Sequence, residues 1–170
     1  MSETKFTIQD DKRTLVVERV FSAPRHNVWQ AWTTPELFAQ WWGPKGWKTE
    51  VKKMEFSEGG ELHYGMKCED PDQKDWYGKY SWGLSTYHSI KPEDGFDYDD
   101  AFCDENAVVT PGMPVLKISM QFIEEGEFTR VVSTSVFDQA ADLEQVIAMG
   151  MKEGLTQTWD RLEELVSVKS

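Results

Sequence analysis

The chain has 170 residues, of which 39% are hydrophobic and 28% are charged. This size and composition are typical of one globular domain and exclude a disordered, collagen-like or coiled-coil protein. The formal net charge is −12, so the surface repels phosphate backbones and acidic membranes, and we expect neither nucleic acid nor a membrane as a partner. Because the sequence has neither an apolar run long enough to span a bilayer nor an N-terminal signal peptide, we expect a cytoplasmic protein.

The first part of the chain alternates between strand and helix patterns. Thr14–Phe21 is rich in β-branched residues and predicts a strand after a polar N-terminal stretch. Pro24 suits the first turn of a helix that runs to about Thr34. Pro35 begins a second short helix, which Gly43-Pro44 ends. We expect these two short helices to follow the first strand directly.

The next hundred residues are divided by turns and show the period-two alternation of half-buried strands. The predicted strands are Trp47–Phe56, Leu62–Lys67, part of Trp76–Tyr87, Phe96–Phe102, Leu116–Phe122 and Phe128–Phe137. From Asp138 the pattern becomes helical, and its apolar stripe consists of Ala148, Met151, Leu155, Trp159, Leu162 and Val166. A long helix must bury such a stripe, so a curved antiparallel sheet is its expected partner in an α+β fold. We expect a single domain over residues 1–170, with its core at about 13–166.

A series of short motifs resembles one known family over nearly the whole chain. In chain order the motifs are Arg19-Val-Phe-Ser-Ala-Pro24, Val28-Trp29, Trp32-Thr33, Pro35-Glu36, Trp41-Trp-Gly-Pro44, Gly59-Gly60 and Gly154-Leu155. Their order and spacing resemble proteins similar to the activator of the heat-shock-protein-90 ATPase, in the SRPBCC or START-like superfamily typified by the birch pollen allergen. The resemblance implies a helix-grip fold, a curved antiparallel sheet of about seven strands around a long C-terminal helix, with a cavity between them.

Two positions depart from the pattern of that family. The double glycine follows Glu55-Phe-Ser-Glu, without the arginine that many relatives carry there, and Leu155 stands where relatives usually have tryptophan. Both departures change the expected lining of the cavity rather than the fold.

Strand parity and the helical stripe select side chains that face this cavity, a kind of site that is mostly apolar. The candidate ligand-binding residues are Trp41, Phe56, Tyr64, Met66, Tyr80, Trp82, Tyr98, Phe102, Met120, Phe122, Met151, Leu155 and Trp159. The alternative is that these side chains simply fill the core. Arg19 and Asp100 share inward parity and are either polar anchors in the cavity or members of structural ion pairs. Because adjacent helical residues point about 100 degrees apart, we expect one of Trp41 and Trp42 inside and the other at the cavity mouth.

The sequence lacks the usual patterns of catalysis and metal binding. His26, His63 and His88 are scattered, without metal-ligand spacing. The acidic run from Asp97 to Asp104 lacks the glycine and the glutamate of an EF-hand. The two cysteines have neither metal nor disulfide spacing and are expected to be reduced thiols. We therefore predict no catalytic residues, no metal and no cofactor.

The sequence favours a protein that binds a small hydrophobic or amphipathic ligand in the cavity rather than an enzyme. Two alternatives stay open. One is a co-chaperone-like stress protein that stimulates a chaperone ATPase, and the other is a cyclase-like enzyme that uses the same cavity. The expected partners are a small hydrophobic ligand and, under the first alternative, a chaperone. The chain is expected to be a monomer or a homodimer.

Overall fold

The computed structural model describes residues 3–167. This part of the chain forms eight strands, four α-helices and one short 3-10 helix. In chain order they are β1 (Lys5–Ile8), β2 (Thr14–Phe21), α1 (Arg25–Thr33), α2 (Pro35–Trp41), β3 (Trp47–Met54), β4 (Glu61–Cys68), the 3-10 helix (Pro71–Trp76), β5 (Tyr80–Lys91), β6 (Gly95–Cys103), β7 (Val115–Glu125), β8 (Phe128–Val136), α3 (Ala140–Ala148) and α4 (Met151–Val166). None of the described helices is long and apolar enough to cross a membrane.

The eight strands form one antiparallel sheet in the order β1-β2-β8-β7-β6-β5-β4-β3. The chain passes from β2, near one edge of the sheet, to β3 at the other edge through α1 and α2. Helix α1 packs against β7 and β8, and both α1 and α2 contact α4. The helices therefore cover one face of the sheet, which we call the inner face, and the opposite face is the outer face.

Aromatic side chains fill much of the space between the helices and the inner face. Trp29 on α1 contacts the rings of Phe56, Phe96 and Phe122 edge-on, with ring centroids 5.2–5.8 Å apart. This edge-to-face geometry is the one that aromatic pairs prefer. Trp159 on α4 is also buried within this core. A cavity in this fold therefore lies beside the aromatic core rather than through its centre.

The predicted α+β helix-grip architecture is confirmed, with two differences in detail. The polar N-terminal stretch forms β1, an edge strand that pairs with β2 and places Phe6 opposite Val17, so the sheet has eight strands instead of about seven. The two short helices consequently follow the second strand. The predicted C-terminal helix is divided into α3 and α4 at Gly150, whose φ of +92° lies outside the α-helical region. Ala148 therefore belongs to α3, while the rest of the apolar stripe belongs to α4.

Candidate functional site

A small cavity lies between helices α1 and α2 and the inner face of β4, β5 and β6. Its volume is about 20 Å3, which is room for one water-sized group. The described residues that line it are Trp32, Phe38, Trp42, Leu62, Tyr64, Ser85, Tyr87, Phe96, Tyr98 and Asp100. Seven of these ten residues are aromatic, and Asp100 is the charged residue among them. We call this space the inner cavity.

Asp100 brings a carboxylate to the inner cavity. Its Oδ1 accepts a hydrogen bond from the Ser85 hydroxyl at 3.0 Å, and both of its oxygens lie 3.3 Å from the Tyr64 hydroxyl that donates to them. Burial raises the pKa of Asp100 to about 6, although the two hydrogen bonds favour the charged form and act in the opposite direction. No basic side chain is among the described residues that line the cavity, so the carboxylate has no cationic partner there.

The other polar groups of the inner cavity are hydroxyls, which can both donate and accept hydrogen bonds, and indole N–H groups, which only donate. Burial raises the pKa of Tyr64, Tyr87 and Tyr98 above the ordinary tyrosine value, and the negative charge of Asp100 adds to the effect. These phenols therefore stay protonated at physiological pH. The indole N–H of Trp32 is buried and has no partner among the described residues. An unpaired buried donor costs about 1–3 kcal/mol, and an acceptor placed beside it would recover that cost.

The position of Tyr64 depends on a glycine in the neighbouring strand. Gly83 lies directly opposite Tyr64 in the register of β4 and β5. A Cβ atom at Gly83 would lie 2.4 Å from Cζ of the Tyr64 ring, much closer than van der Waals contact allows. Because Gly83 has no side chain, the Tyr64 ring lies across β5 and its hydroxyl reaches Asp100.

A larger groove opens beside the inner cavity, between helices α3 and α4 and strands β4 and β6. Its volume is about 290 Å3, and none of its described lining residues is charged. They are Trp42, Gly43, Pro44, Tyr64, Met66, Phe102, Val146, Met149, Gly150, Met151, Gly154, Leu155 and Thr158. Its three methionines provide a flexible apolar surface that can adapt to the shape of a ligand. We call this space the mouth groove.

Trp42 and Tyr64 form the boundary between the two spaces, because each of them lines both. Their rings meet edge-on with centroids 5.8 Å apart, and the Trp42 ring also stacks on Phe38 at 5.0 Å. Trp41, in contrast, is fully buried, and its indole N–H donates to the carbonyl of Ala31 at 2.8 Å. The adjacent tryptophans therefore divide as expected, with Trp41 inside and Trp42 at the mouth.

Arg161 on α4 holds the backbone segment that carries Trp42. Its Nη1 donates to the carbonyl of Gly43 at 2.7 Å and to that of Trp47 at 3.1 Å, while its Nη2 donates to the carbonyl of Gln40 at 3.1 Å. The segment after α2 is thereby tied to the helix on the other side of the mouth groove. The width of the groove therefore depends on this arginine.

The predicted site residues divide into those that line the two spaces and those that support them. The lining residues are Tyr64, Tyr98 and Asp100 at the inner cavity, and Tyr64, Met66, Phe102, Met151 and Leu155 at the mouth groove. The supporting residues, which pack in the aromatic core, are Trp41, Phe56, Met120, Phe122 and Trp159. For this second group the structure agrees with the alternative that they fill the core.

The inward orientation predicted for Tyr80 and Trp82 is wrong. Trp82 lies opposite Gly65 on the outer face, where a Cβ at Gly65 would meet the indole ring at 2.4 Å. Its neighbours there are His63, whose ring centroid is 5.2 Å away, and the stacked ring of Tyr80 at 5.1 Å. The physical reason is that Gly83 and Ser85, which alternate with Trp82 and Tyr80 on β5, face inward, since the Tyr64 ring occupies the space above Gly83.

Arg19 is buried beneath α4 and lines neither the inner cavity nor the mouth groove. Its Nη1 pairs with Oδ1 of Asp160 at 2.6 Å and donates to the hydroxyl of Thr4 at 3.2 Å. This geometry agrees with the structural ion pair that was the alternative to a cavity anchor. Its Nε and Nη2 have no partner among residues 3–167.

Several lining residues lie outside the set that the sequence selects. Trp32 and Phe38 come from α1 and α2, which form one wall of the inner cavity, whereas the resemblance directs attention to the C-terminal helix. Ser85 and Tyr87 share the inward parity of Gly83, so a glycine on β5 opposite an aromatic residue is the signal that would have found them.

The two cysteines and the acidic side chains do not form a further centre in the described part of the chain. Cys68 and Cys103 are free and buried, and burial raises the pKa of the Cys103 thiol to about 11. No group of three or more His, Cys, Asp or Glu side chains within residues 3–167 is placed to hold a metal ion.

A curved antiparallel sheet, a helical layer on one face and a space between them define the SRPBCC or START-like class of proteins. Within that class, residues 22–167 match the family described as activator of Hsp90 ATPase homolog 1-like protein, and the chain belongs to this family. No protein with curated annotation matches the chain.

Solved structures from several bacteria share the fold over nearly the whole length. Protein Ms6760 from Mycobacterium smegmatis is 25% identical, with a TM-score of 0.86 and 98% of each chain covered. A protein from Staphylococcus epidermidis is 28% identical, with a TM-score of 0.80 and 96% of each chain covered. DynU16, a protein of the dynemicin biosynthetic locus, is 17% identical with a TM-score of 0.59, and the match covers 92% of this chain and 47% of that one. At that identity the likeness to DynU16 concerns the fold alone.

Proposed function

We propose that this protein binds a small amphipathic molecule, with its apolar part in the mouth groove and its polar end in the inner cavity. The observation that carries the proposal is that the two spaces adjoin each other, since Trp42 and Tyr64 line both. An uncharged groove of about 290 Å3 adjoins a smaller space that contains the carboxylate of Asp100. Pockets with an apolar lining and a few convergent polar groups are the usual form of small-molecule sites.

Each space supplies a different part of the expected recognition. Met66, Phe102, Met151 and Leu155 offer apolar surface to a hydrocarbon or aromatic group. Asp100, the tyrosine hydroxyls and the unpaired Trp32 N–H offer hydrogen bonds to a polar group. Because the inner cavity has room for only one water-sized group, most of the ligand lies in the groove.

The test is a thermal-shift screen with apolar and amphipathic compounds on the wild type and two tryptophan variants of α4. A ligand that binds only the folded state raises the melting temperature as its concentration passes the dissociation constant. Leu155→Trp fills the mouth groove and is expected to abolish the shifts. Glu153→Trp adds the same bulk on the exposed side of the same helix and is expected to keep them. The proposal fails if no compound stabilises the wild type, or if both variants keep every shift.

A further inference from the structure

We propose that the inner cavity receives the protonated amino group of the ligand, so that the ligands of this protein are amphipathic amines. The proposal rests on the proposed function and adds the chemical class of the polar end.

The lining combines aromatic faces with one carboxylate. Seven aromatic side chains surround the space, among them Trp32, Trp42 and the three tyrosines. Aromatic faces attract cations through the ring quadrupole, and several rings around one point form the cages that recognise ammonium groups. Asp100 adds a full negative charge in the same wall, with Ser85 and Tyr64 holding the carboxylate in position.

The charge of the surroundings selects against an acidic ligand. None of the described residues that line the inner cavity or the mouth groove is Lys, Arg or His. A fatty acid or a phosphate ester would therefore bring a second negative charge beside Asp100 without a cation to balance it, which is costly in a buried site. An ammonium group supplies the cationic partner that Asp100 lacks, while the Trp32 N–H stays without an acceptor because an ammonium has no lone pair.

The size of the inner cavity fits the same group. A volume of about 20 Å3 holds one water-sized group, and a primary ammonium is of that size. The hydrocarbon part of the amine lies in the adjoining groove of about 290 Å3, which it reaches when the Trp42 ring turns away from the Tyr64 ring that it contacts. A bulky polar head does not fit the inner cavity in this conformation.

The proposal predicts a pH dependence that belongs to Asp100. Burial raises the pKa of this carboxyl to about 6, so it becomes protonated, and loses its attraction for an ammonium, as the pH falls through that value. The other titratable groups that face it are Tyr64, Tyr87, Tyr98 and the Cys103 thiol, and burial keeps all four protonated near pH 6. The residues that α1 and α2 contribute to the lining, Trp32, Phe38 and Trp42, do not titrate in this range.

The experiment compares n-octylamine, n-octanol and octanoate, which share one apolar chain, by isothermal titration calorimetry at pH 7.5. Octylamine is expected to bind at least about tenfold more tightly than octanol, because a charge-assisted hydrogen bond replaces a neutral one. In Asp100→Asn the affinity for octylamine is expected to fall to that for octanol. Asp97→Asn removes the same charge from an exposed position on the outer face of the same strand, and it is expected to keep the preference. In the wild type, octylamine is expected to weaken about tenfold between pH 7.5 and 5.0, while octanol stays unchanged.

The outcomes separate this proposal from the one on which it rests. If octanol binds and octylamine binds no more tightly, the amine proposal is overturned and the binding function stands. A preference that survives in Asp100→Asn, or that Asp97→Asn abolishes equally, overturns it too, because overall negative charge then explains the preference. If Asp100→Asn does not fold, the pH dependence of the wild type decides. If none of the three compounds binds, both proposals are overturned.

Discussion

Asp100 illustrates how one carboxyl can link stability and recognition. Its environment of aromatic rings disfavours the charged form, while the hydroxyls of Ser85 and Tyr64 favour it, and the balance raises its pKa to about 6. The folded protein therefore holds a proton on Asp100 at pH values where the unfolded chain releases it. A ligand that stabilises the charged form offsets the unfavourable part of this balance.

Replacing Asp100 by asparagine should change how stability depends on pH. Because the folded-state pKa is raised above the ordinary value of 3.8, the contribution of Asp100 to stability is present below about pH 4 and is lost as the pH rises through about 6. Asp100→Asn keeps an oxygen that accepts from Ser85 and Tyr64 and removes the ionisation. The free energy of unfolding of Asp100→Asn minus that of the wild type should be about 1–3 kcal/mol larger at pH 7.5 than at pH 4.0, because the variant escapes the loss of stability. Urea unfolding at both values measures this, with Asp97→Asn as the control, and an equal difference at the two pH values contradicts it.

Trp41 and Trp42 should respond very differently to replacement by alanine. Trp41 is fully buried and donates a hydrogen bond to the Ala31 carbonyl, so Trp41→Ala should lower the free energy of unfolding by about 3–5 kcal/mol. Trp42 is only partly buried, and Trp42→Ala should cost about half as much or less while leaving a folded protein with altered ligand binding. Denaturant unfolding of the two variants compares them. Equally large losses would show that both residues belong to the core.

The alternation of apolar and polar residues does not predict every side-chain orientation in this sheet. On β4 and β6 the alternation correctly orients Tyr64, Met66 and Tyr98, because their apolar residues all face inward. On β5 Tyr80 and Trp82 lie on the outer face, where Trp82 packs over Gly65, whereas Tyr87 faces the inner cavity. A prediction from hydrophobic alternation alone therefore assigns Tyr80 and Trp82 to the wrong face of the sheet. The contact that decides their orientation is made by Tyr64 of β4, which lies over Gly83.

At the scale of elements, the mouth groove depends on how α4 is placed against the segment that follows α2. Arg161 donates to five backbone carbonyls of that region, and Gln157 on the same helix accepts from the backbone N–H of Lys45 at 3.1 Å. The positive φ of Gly150 separates α4 from α3 and contributes to the edge of the groove. The apolar stripe predicts the buried face of α4. The break at Gly150 depends on a positive φ, which the spacing of apolar residues does not reveal.

Replacing Arg161 should loosen the mouth groove. Arg161→Met leaves partly buried carbonyls without a donor, which should cost about 1–3 kcal/mol in stability and accelerate amide exchange over residues 42–47. Hydrogen–deuterium exchange measured by mass spectrometry compares this segment with the wild type. Arg130→Met, which removes an exposed ion pair with Glu125 (2.8 Å), serves as the control and should have a small effect. Equal exchange in both variants would mean that Arg161 does not hold the segment.

For the molecule as a whole, the fold can be predicted from the order of the elements and from their hydrophobic pattern, whereas the free space inside the fold cannot. The series of strands followed by a helix with one apolar stripe defines the sheet-and-helix layers, and residues 22–167 match a family with that architecture. The volume left between the layers depends on how rings such as Trp29, Phe96 and Phe122 pack together. A small difference in that packing decides whether the interior is filled or open, so the inner cavity of about 20 Å3 was not predictable from the sequence.

The most direct test of ligand binding uses the eight tryptophans as reporters. In a 1H–15N spectrum the indole N–H signals would be assigned by substitution and followed while n-octanol is added. Ligand binding in the two spaces predicts progressive shifts of the signals of Trp32 and Trp42, which line them, and no shift of Trp76 and Trp82, which lie outside both. Shifts confined to Trp76 and Trp82, or a spectrum that does not change at any octanol concentration, would contradict it.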